Sequence, residues 1–228
     1  MTTATYDRFR GNLETYFDRT AAKAWEQLTS DAPVSGIRAT VRAGRSEMRD
    51  TLLGWLPADM RGLRLLDAGC GTGALAVEAA ARGAEVVAID VAGSLVKIAQ
   101  DRAPAAAAID WRVGDMLDPA LGSFDHVVAM DSLIHYQAAD IVNVLQQLAR
   151  RTRGSIVFTF APQTVLLSAM LGMGRLFPRS DRSPAIRPVR DTRLRALINT
   201  AMPQARIGRD RRISASFYTS HALEIMPG

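Results

Sequence analysis

Leu65-Leu66-Asp67-Ala68-Gly69-Cys70-Gly71-Thr72-Gly73-Ala74 is the stretch on which the fold turns. An apolar run ends in an acid, three glycines follow at alternate positions, and an alanine-rich segment starts at once. Glycine permits a tight turn and lets backbone approach a ligand, while the start of the following helix favours an anion. The stretch therefore reads as a strand over 63–67, a glycine turn and a helix over 74–82 closed by Gly83.

The same alternation continues towards the C-terminus. Strands are expected over 85–90, 109–113, 124–130 and 155–160, with helices over 93–102 and 138–150. An all-round apolar helix over 165–176 leads into a Pro- and Arg-rich loop, then a helix over 191–202 and two last strands at about 205–213 and 216–225. Strands alternating with helices predict an α/β fold, a doubly wound, mostly parallel seven-stranded sheet. Upstream, Tyr6, Phe9, Leu13, Tyr16 and Phe17 recur at helical spacing, and a second helical stretch runs over 37–55. The expected organisation is a helical extension over 1–58 and a Rossmann-like domain over 59–228, with an apolar and Arg-rich insert at about 163–190.

Composition removes several classes. Hydrophobic residues make up 48% and charged ones 22%, which argues against disorder. The single Cys70 forbids an intramolecular disulfide and a Cys-rich zinc module, and no metal site is expected. No apolar run approaches the roughly 18 residues of a membrane span, and the first ten residues lack the apolar core of a signal peptide, so a cytoplasmic protein is expected. Residues 175–212 hold 11 Arg against three Asp, a local +8 in a chain of net +5, so the rest of the chain is slightly acidic. Such a patch suits an anionic partner. Nucleic acid is disfavoured, because no aromatics are interleaved between Arg179 and Arg212 on which bases could stack.

Gly69, Gly71 and Ala74 satisfy the loose dinucleotide fingerprint, so a nicotinamide-dependent oxidoreductase is the first rival reading. Three acids tilt the balance. Asp67 stands two residues before the first glycine, where a pyrophosphate would be repelled and an ammonium group welcomed. Asp90, followed by Val91, closes the second strand and is placed to accept from two ribose hydroxyls, a feature both readings share. Asp115 closes the third, where it can accept from an adenine amino group while Met116 packs on the ring. The combination with Gly69-x-Gly71-x-Gly73 resembles the class I S-adenosylmethionine-dependent methyltransferases. S-adenosylmethionine is the cofactor this implies, with Cys70 and Asp131 completing its site.

Beyond the cofactor half, the chain resembles the magnesium-protoporphyrin O-methyltransferases of bacteriochlorophyll and chlorophyll synthesis. The residues that carry this are Tyr16-Phe17-Asp18 with Thr20 and Trp25, the glycine turn, Asp131-Ser132-Leu133-Ile134-His135-Tyr136, and Phe158-Thr159-Phe160-Ala161-Pro162. The resemblance implies methyl transfer to a propionate carboxylate of magnesium-protoporphyrin IX; another carboxylate or a quinone precursor is the alternative acceptor. His135 is the expected catalytic residue, hydrogen-bonding or deprotonating the propionate or coordinating the porphyrin's magnesium, and Tyr16 the expected lid over the cofactor. Tyr136, Met170 and Met173 are expected against the porphyrin, and Arg175 and Arg179 at its propionates. The basic segment is also suited to the photosynthetic membrane surface or to the chelatase that supplies the substrate.

Overall fold

The computed structural model describes residues 4–18, 36–163, 185–215 and 218–228. Seven strands form one sheet: β1 (Arg64–Ala68), β2 (Glu85–Asp90), β3 (Ile109–Val113), β4 (Phe124–Ala129), β5 (Thr152–Phe160), β6 (Arg206–Ala215) and β7 (Tyr218–Met226). Their spatial order is β3-β2-β1-β4-β5-β7-β6. The first five are mutually parallel, and β7 runs antiparallel between β5 and β6. The order reverses between β1 and β4, the switch point outside which open α/β sheets bind ligands. Every expected strand forms; β5 begins three residues before the expected boundary, at Thr152.

Six helices are described: α1 (Ala4–Tyr16), α2 (Gly36–Gly54), α3 (Ala74–Ala81), α4 (Gly93–Arg102), α5 (Ala138–Ala149) and α6 (Asp191–Ala201). The expected helix over 165–176 lies outside the described residues. Period-two alternation sends neighbouring strand residues to opposite faces, and here both faces are apolar. Leu66, Val127, Ile156 and Phe158 enter one core with Tyr6 and Leu13 of α1, Leu145 of α5 and Leu194 of α6. Leu65, Val128 and Val157 enter the other with Met48, Leu52 and Leu53 of α2. The N-terminal helices thus share their buried residues with the sheet. α2 lies close on β7: a Cβ on Gly44 would fall 2.5 Å from the Tyr218 ring.

Candidate active site

The parallel register brings the ends of β1, β2 and β4 to one edge of the sheet, Asp67 beside Ala88 and Val128. There a cavity of about 480 Å³ opens, within the usual range for a small-molecule site. It is lined by the glycine turn, the ends of β2 and β4, part of α1, one stripe of α2, and the start of β7.

The turn is built for close approach. Gly69, Gly71 and Gly73 all have φ between 53° and 87°, where side chains other than glycine are strained. A Cβ on Gly69 would fall 2.3 Å from Ser132 Cβ, and one on Gly73 would fall 2.4 Å from the Trp111 ring. Gly69 thus keeps the wall thin beneath the cavity, whereas Gly73 lets α3 seat against the neighbouring side chains and does not itself line the space. Cys70 does line it, and burial pushes its thiol well above the ordinary range.

The acids at the strand ends are held differently. Asp90 accepts from the amide of Gly71 on Oδ2 (2.9 Å) and of Ala92 on Oδ1 (3.0 Å), tying the turn to β2. Burial nevertheless raises its pKa. Asp67 is buried and its Oδ2 has no partner among the described residues. Burial, with Asp90 nearby, raises its pKa to about 7, against a smaller opposing pull from the Ala76 amide. An ammonium group would relieve this carboxylate; a pyrophosphate would worsen it. The residues present therefore fit the amino-acid end of S-adenosylmethionine.

Asp115 does not line the cavity, although its neighbours Gly114 and Met116 and the nearby Val91 do. Its Oδ1 accepts from Tyr6 Oη (2.7 Å) and from the Leu117 amide (2.9 Å), and Arg10 Nε lies 3.6 Å from Oδ2. The adenine-binding acid anticipated from sequence is thus also the anchor of α1.

Asp131 is a closed hub. It adopts φ 54°, the one positive value at a non-glycine position among the described residues. Its carboxylate accepts from Arg45 Nη1 (2.7 Å), Tyr218 Oη (3.1 Å), Ser220 Oγ (3.2 Å) and Thr159 Oγ1 (3.2 Å), and its own amide donates to Thr159 Oγ1 (2.7 Å). Burial raises the Tyr218 pKa, and the Asp131 charge adds to the rise.

His135 ends a short 3₁₀ turn, Leu133–His135, is buried, and lines the cavity beside Phe17, whose ring meets it edge-on at 6.4 Å. Tyr136 lines it too, stacked on Tyr6 at 5.1 Å. The helix that carries Tyr16 does form a wall, but through Tyr6, Leu13 and Phe17; Tyr16 packs edge-on against Phe17 and lies off the lining. Positions 6, 13 and 17 share a helix face, and residue 16 is turned about 100° from residue 17. Met170, Met173, Arg175 and Arg179 lie outside the described residues. The sequence reading did not single out Arg42, Arg45 and Arg49 of α2, or Tyr218 and Ser220 of β7, all of which line the cavity. No group of three or more metal-ligating side chains occurs among the described residues.

A switch-point cavity, a glycine turn and a buried acid before it, on this strand order, define a class I S-adenosylmethionine-dependent methyltransferase. Residues 65–154 match the model of a methyltransferase domain, and 129–227 match that of the magnesium-protoporphyrin IX methyltransferase C-terminus. The chain is 48% identical to the magnesium-protoporphyrin O-methyltransferase of Rhodobacter capsulatus, covering 97% of this chain and 98% of that one. It is 29% identical to the Synechocystis magnesium-protoporphyrin O-methyltransferase over 92% of each chain. The crystal structure of the Synechocystis magnesium protoporphyrin IX methyltransferase with bound SAH superposes with a TM-score of 0.84 at 26% identity, covering 96% of this chain and 99% of that one. The chain belongs to the magnesium-protoporphyrin O-methyltransferase family, and S-adenosylmethionine is its methyl donor.

Proposed function

We propose that this cavity esterifies a propionate carboxylate of magnesium-protoporphyrin IX to its monomethyl ester. The observation that carries the reading is one cavity holding both halves of the reaction: Asp67 at the glycine turn, whose Oδ2 has no partner among the described residues, and His135 on the turn after β4. S-adenosylmethionine, when bound, supplies a methyl group activated by its sulfonium charge. Asp67 holds the ammonium end, Asp90 the ribose, and Met116 packs on the adenine. A propionate with a pKa of about 4–5 is ionised at neutral pH, so the protein has little proton to move. Its work is alignment, which can contribute roughly 7–11 kcal/mol. His135 orients the carboxylate, and Tyr6, Phe17 and Tyr136 exclude water, Tyr6 and Phe17 taking the lid role expected of Tyr16. Met170, Met173, Arg175 and Arg179 remain assigned to the porphyrin and its propionates.

No helix among the described residues is long and apolar enough to cross a membrane. The basic 175–212 segment supports peripheral contact with an anionic surface, a role that vesicle co-sedimentation would test.

Labelled S-adenosylmethionine offered with magnesium-protoporphyrin, metal-free protoporphyrin or a quinone precursor tests the acceptor. Label is expected on the magnesium porphyrin; label on the quinone precursor alone overturns the assignment. His135→Ala should lower kcat on the order of 10²-fold with SAH affinity nearly unchanged. Wild-type turnover of that variant at saturating substrate would make His135 structural.

A further inference from the structure

His135 stands on a turn of only three residues, Leu133–His135, closed by the bond from the Tyr136 amide to the Leu133 carbonyl (3.1 Å). A single 3₁₀ turn has little rigidity of its own, so the place of the imidazole depends on what braces its neighbours. The segment 185–190 supplies a brace. Pro188 restricts Arg187 to extended backbone. The Val189 amide donates to the Ala161 carbonyl (2.8 Å) and the Gln163 amide to the Val189 carbonyl (3.0 Å), which stitches the segment to the exit of β5. From that anchor the Arg187 amide donates to the Ile134 carbonyl (2.8 Å), while neighbouring Ile186 lines the cavity.

The Arg187 side chain reaches α1. Its guanidinium lies over the Phe9 ring, 4.6 Å from the centroid, where the ring's charge distribution attracts a cation. Phe9 in turn meets the Tyr136 ring edge-on at 6.3 Å. One residue thus braces both neighbours of His135: Ile134 through its amide, and Tyr136 through the Phe9 ring. Arg187 forms no ion pair among the described residues, and its buried Nε has no hydrogen-bond partner there. The ring contact is therefore what a shorter side chain would lose. The rest of α1 is tied down separately. Tyr6 and Arg10 reach Asp115, and Asp18 accepts from the Ser94 amide (2.9 Å). Loosening Arg187 should free the His135 end of the cavity and leave the donor end held.

We propose that Arg187 is a positioning residue for methyl transfer, keeping His135 in line by bracing Ile134 and Tyr136 on either side of it. The inference rests on His135 acting on the acceptor as proposed above.

The chain has three histidines, His126, His135 and His221, so imidazole resonances of the ligand-free protein report His135 by itself. Arg187→Ala should shift the His135 signal and leave that of His126 in place. With magnesium-protoporphyrin saturating, kcat should fall on the order of tenfold through misalignment, at unchanged SAH affinity. Arg187→Lys, which keeps a cation for the ring, should recover part of the loss. Phe9→Leu should reproduce it and carries the test if Arg187→Ala does not fold. Arg8→Ala is the control: that guanidinium also lies over Phe9, at 5.4 Å, but it is carried by α1 itself and braces nothing across to the turn. Turnover and the His135 signal should both survive its loss. An unmoved His135 signal, an unchanged kcat, or an equal fall when Arg187→Ala is added to His135→Ala overturns the proposal. The resonance arm needs no porphyrin. A protein that methylates no porphyrin would refute the acceptor, while this arm still decides whether Arg187 holds His135.

Discussion

Asp67 and Asp131 flank the same cavity at the ends of adjacent parallel strands, yet they are opposites. Asp67 has a buried oxygen with no partner among the described residues and a second carboxylate nearby. Asp131 has four donors drawn from α2, β5 and β7. A buried carboxylate left incomplete costs stability in the empty protein and is repaid only when a cation arrives. A completed one fixes the elements that supply its donors. Both acids line the cavity, where the sequence places them with the cofactor, but one has an oxygen left for a ligand's charge and the other has its donors in place.

Removing the completed acid should produce the largest effect. Asp131→Ala leaves Arg45, whose side chain is only 23% exposed, and the Tyr218 hydroxyl without their shared acceptor. A loss of about 3 kcal/mol in chemical denaturation is expected, the lower end for breaking a buried pair because Arg45 keeps some water. A variant as stable as wild type but unable to bind SAH would place Asp131 with the cofactor after all.

Asp67→Ala should invert that pattern. SAH affinity is expected to fall roughly 10- to 100-fold, the scale of a charge-assisted contact, while the ligand-free protein melts no lower than wild type because a poorly solvated acid is gone. A destabilised variant with intact affinity would reverse the roles of the two acids.

The contrast sharpens with pH. Asp67 titrates at about 7 in the folded, ligand-free protein, against about 3.9 when unfolded. Between those values the native state holds a proton that the unfolded state has released, so this group's contribution to stability falls as pH rises from about 4 to about 7. A ligand ammonium needs the charged form. SAH affinity should therefore climb by up to about tenfold per pH unit below 7 and level off above it, with proton release on binding. Calorimetry in buffers of different ionisation enthalpy reads that release. Asp67→Asn should abolish both the slope and the proton; a slope that survives would move the titration to Asp90 or His135.

What the sequence made legible follows from the range of the interactions. The glycine turn, the acids ending β1 to β3 and the strand alternation are local patterns, and the expected strands match to within a few residues. The Asp131 hub was hidden because Tyr218 and Ser220 arrive from a strand almost ninety positions later, through an antiparallel pairing that no local spacing encodes. The α2 arginines were hidden for another reason: on a polar helix stripe in an arginine-rich chain, nothing distinguishes a cavity wall from a solvated face. In α1 the apolar residues wrap more than one side, so the pattern gave a helix without its rotation. Tyr16, expected as the lid from the family resemblance, packs edge-on against Phe17 of the same segment.

Tyr6 offers the smallest and most discriminating effect. Its hydroxyl gives Asp115 Oδ1 a second donor beside the Leu117 amide, and its ring stacks on Tyr136. Burial pushes the phenol pKa well above its ordinary value, and the Tyr136 and Asp115 charges add to the rise, so the group stays a donor at any working pH. Tyr6→Phe keeps the stack and deletes only the bond to Asp115. If Tyr6 positions Asp115 for the adenine amino group, SAH affinity should drop by about two- to fivefold, near the modest net value of one hydrogen bond. If Tyr6 competes with adenine for Asp115, the same variant should bind SAH more tightly. Between Asp67, with one oxygen unpartnered among the described residues, and Asp131, with four donors, Asp115 is expected on the side of the first: a weaker Tyr6→Phe complex makes it a ligand-binding acid steadied by α1, and a tighter one makes α1 its occupant in the empty protein.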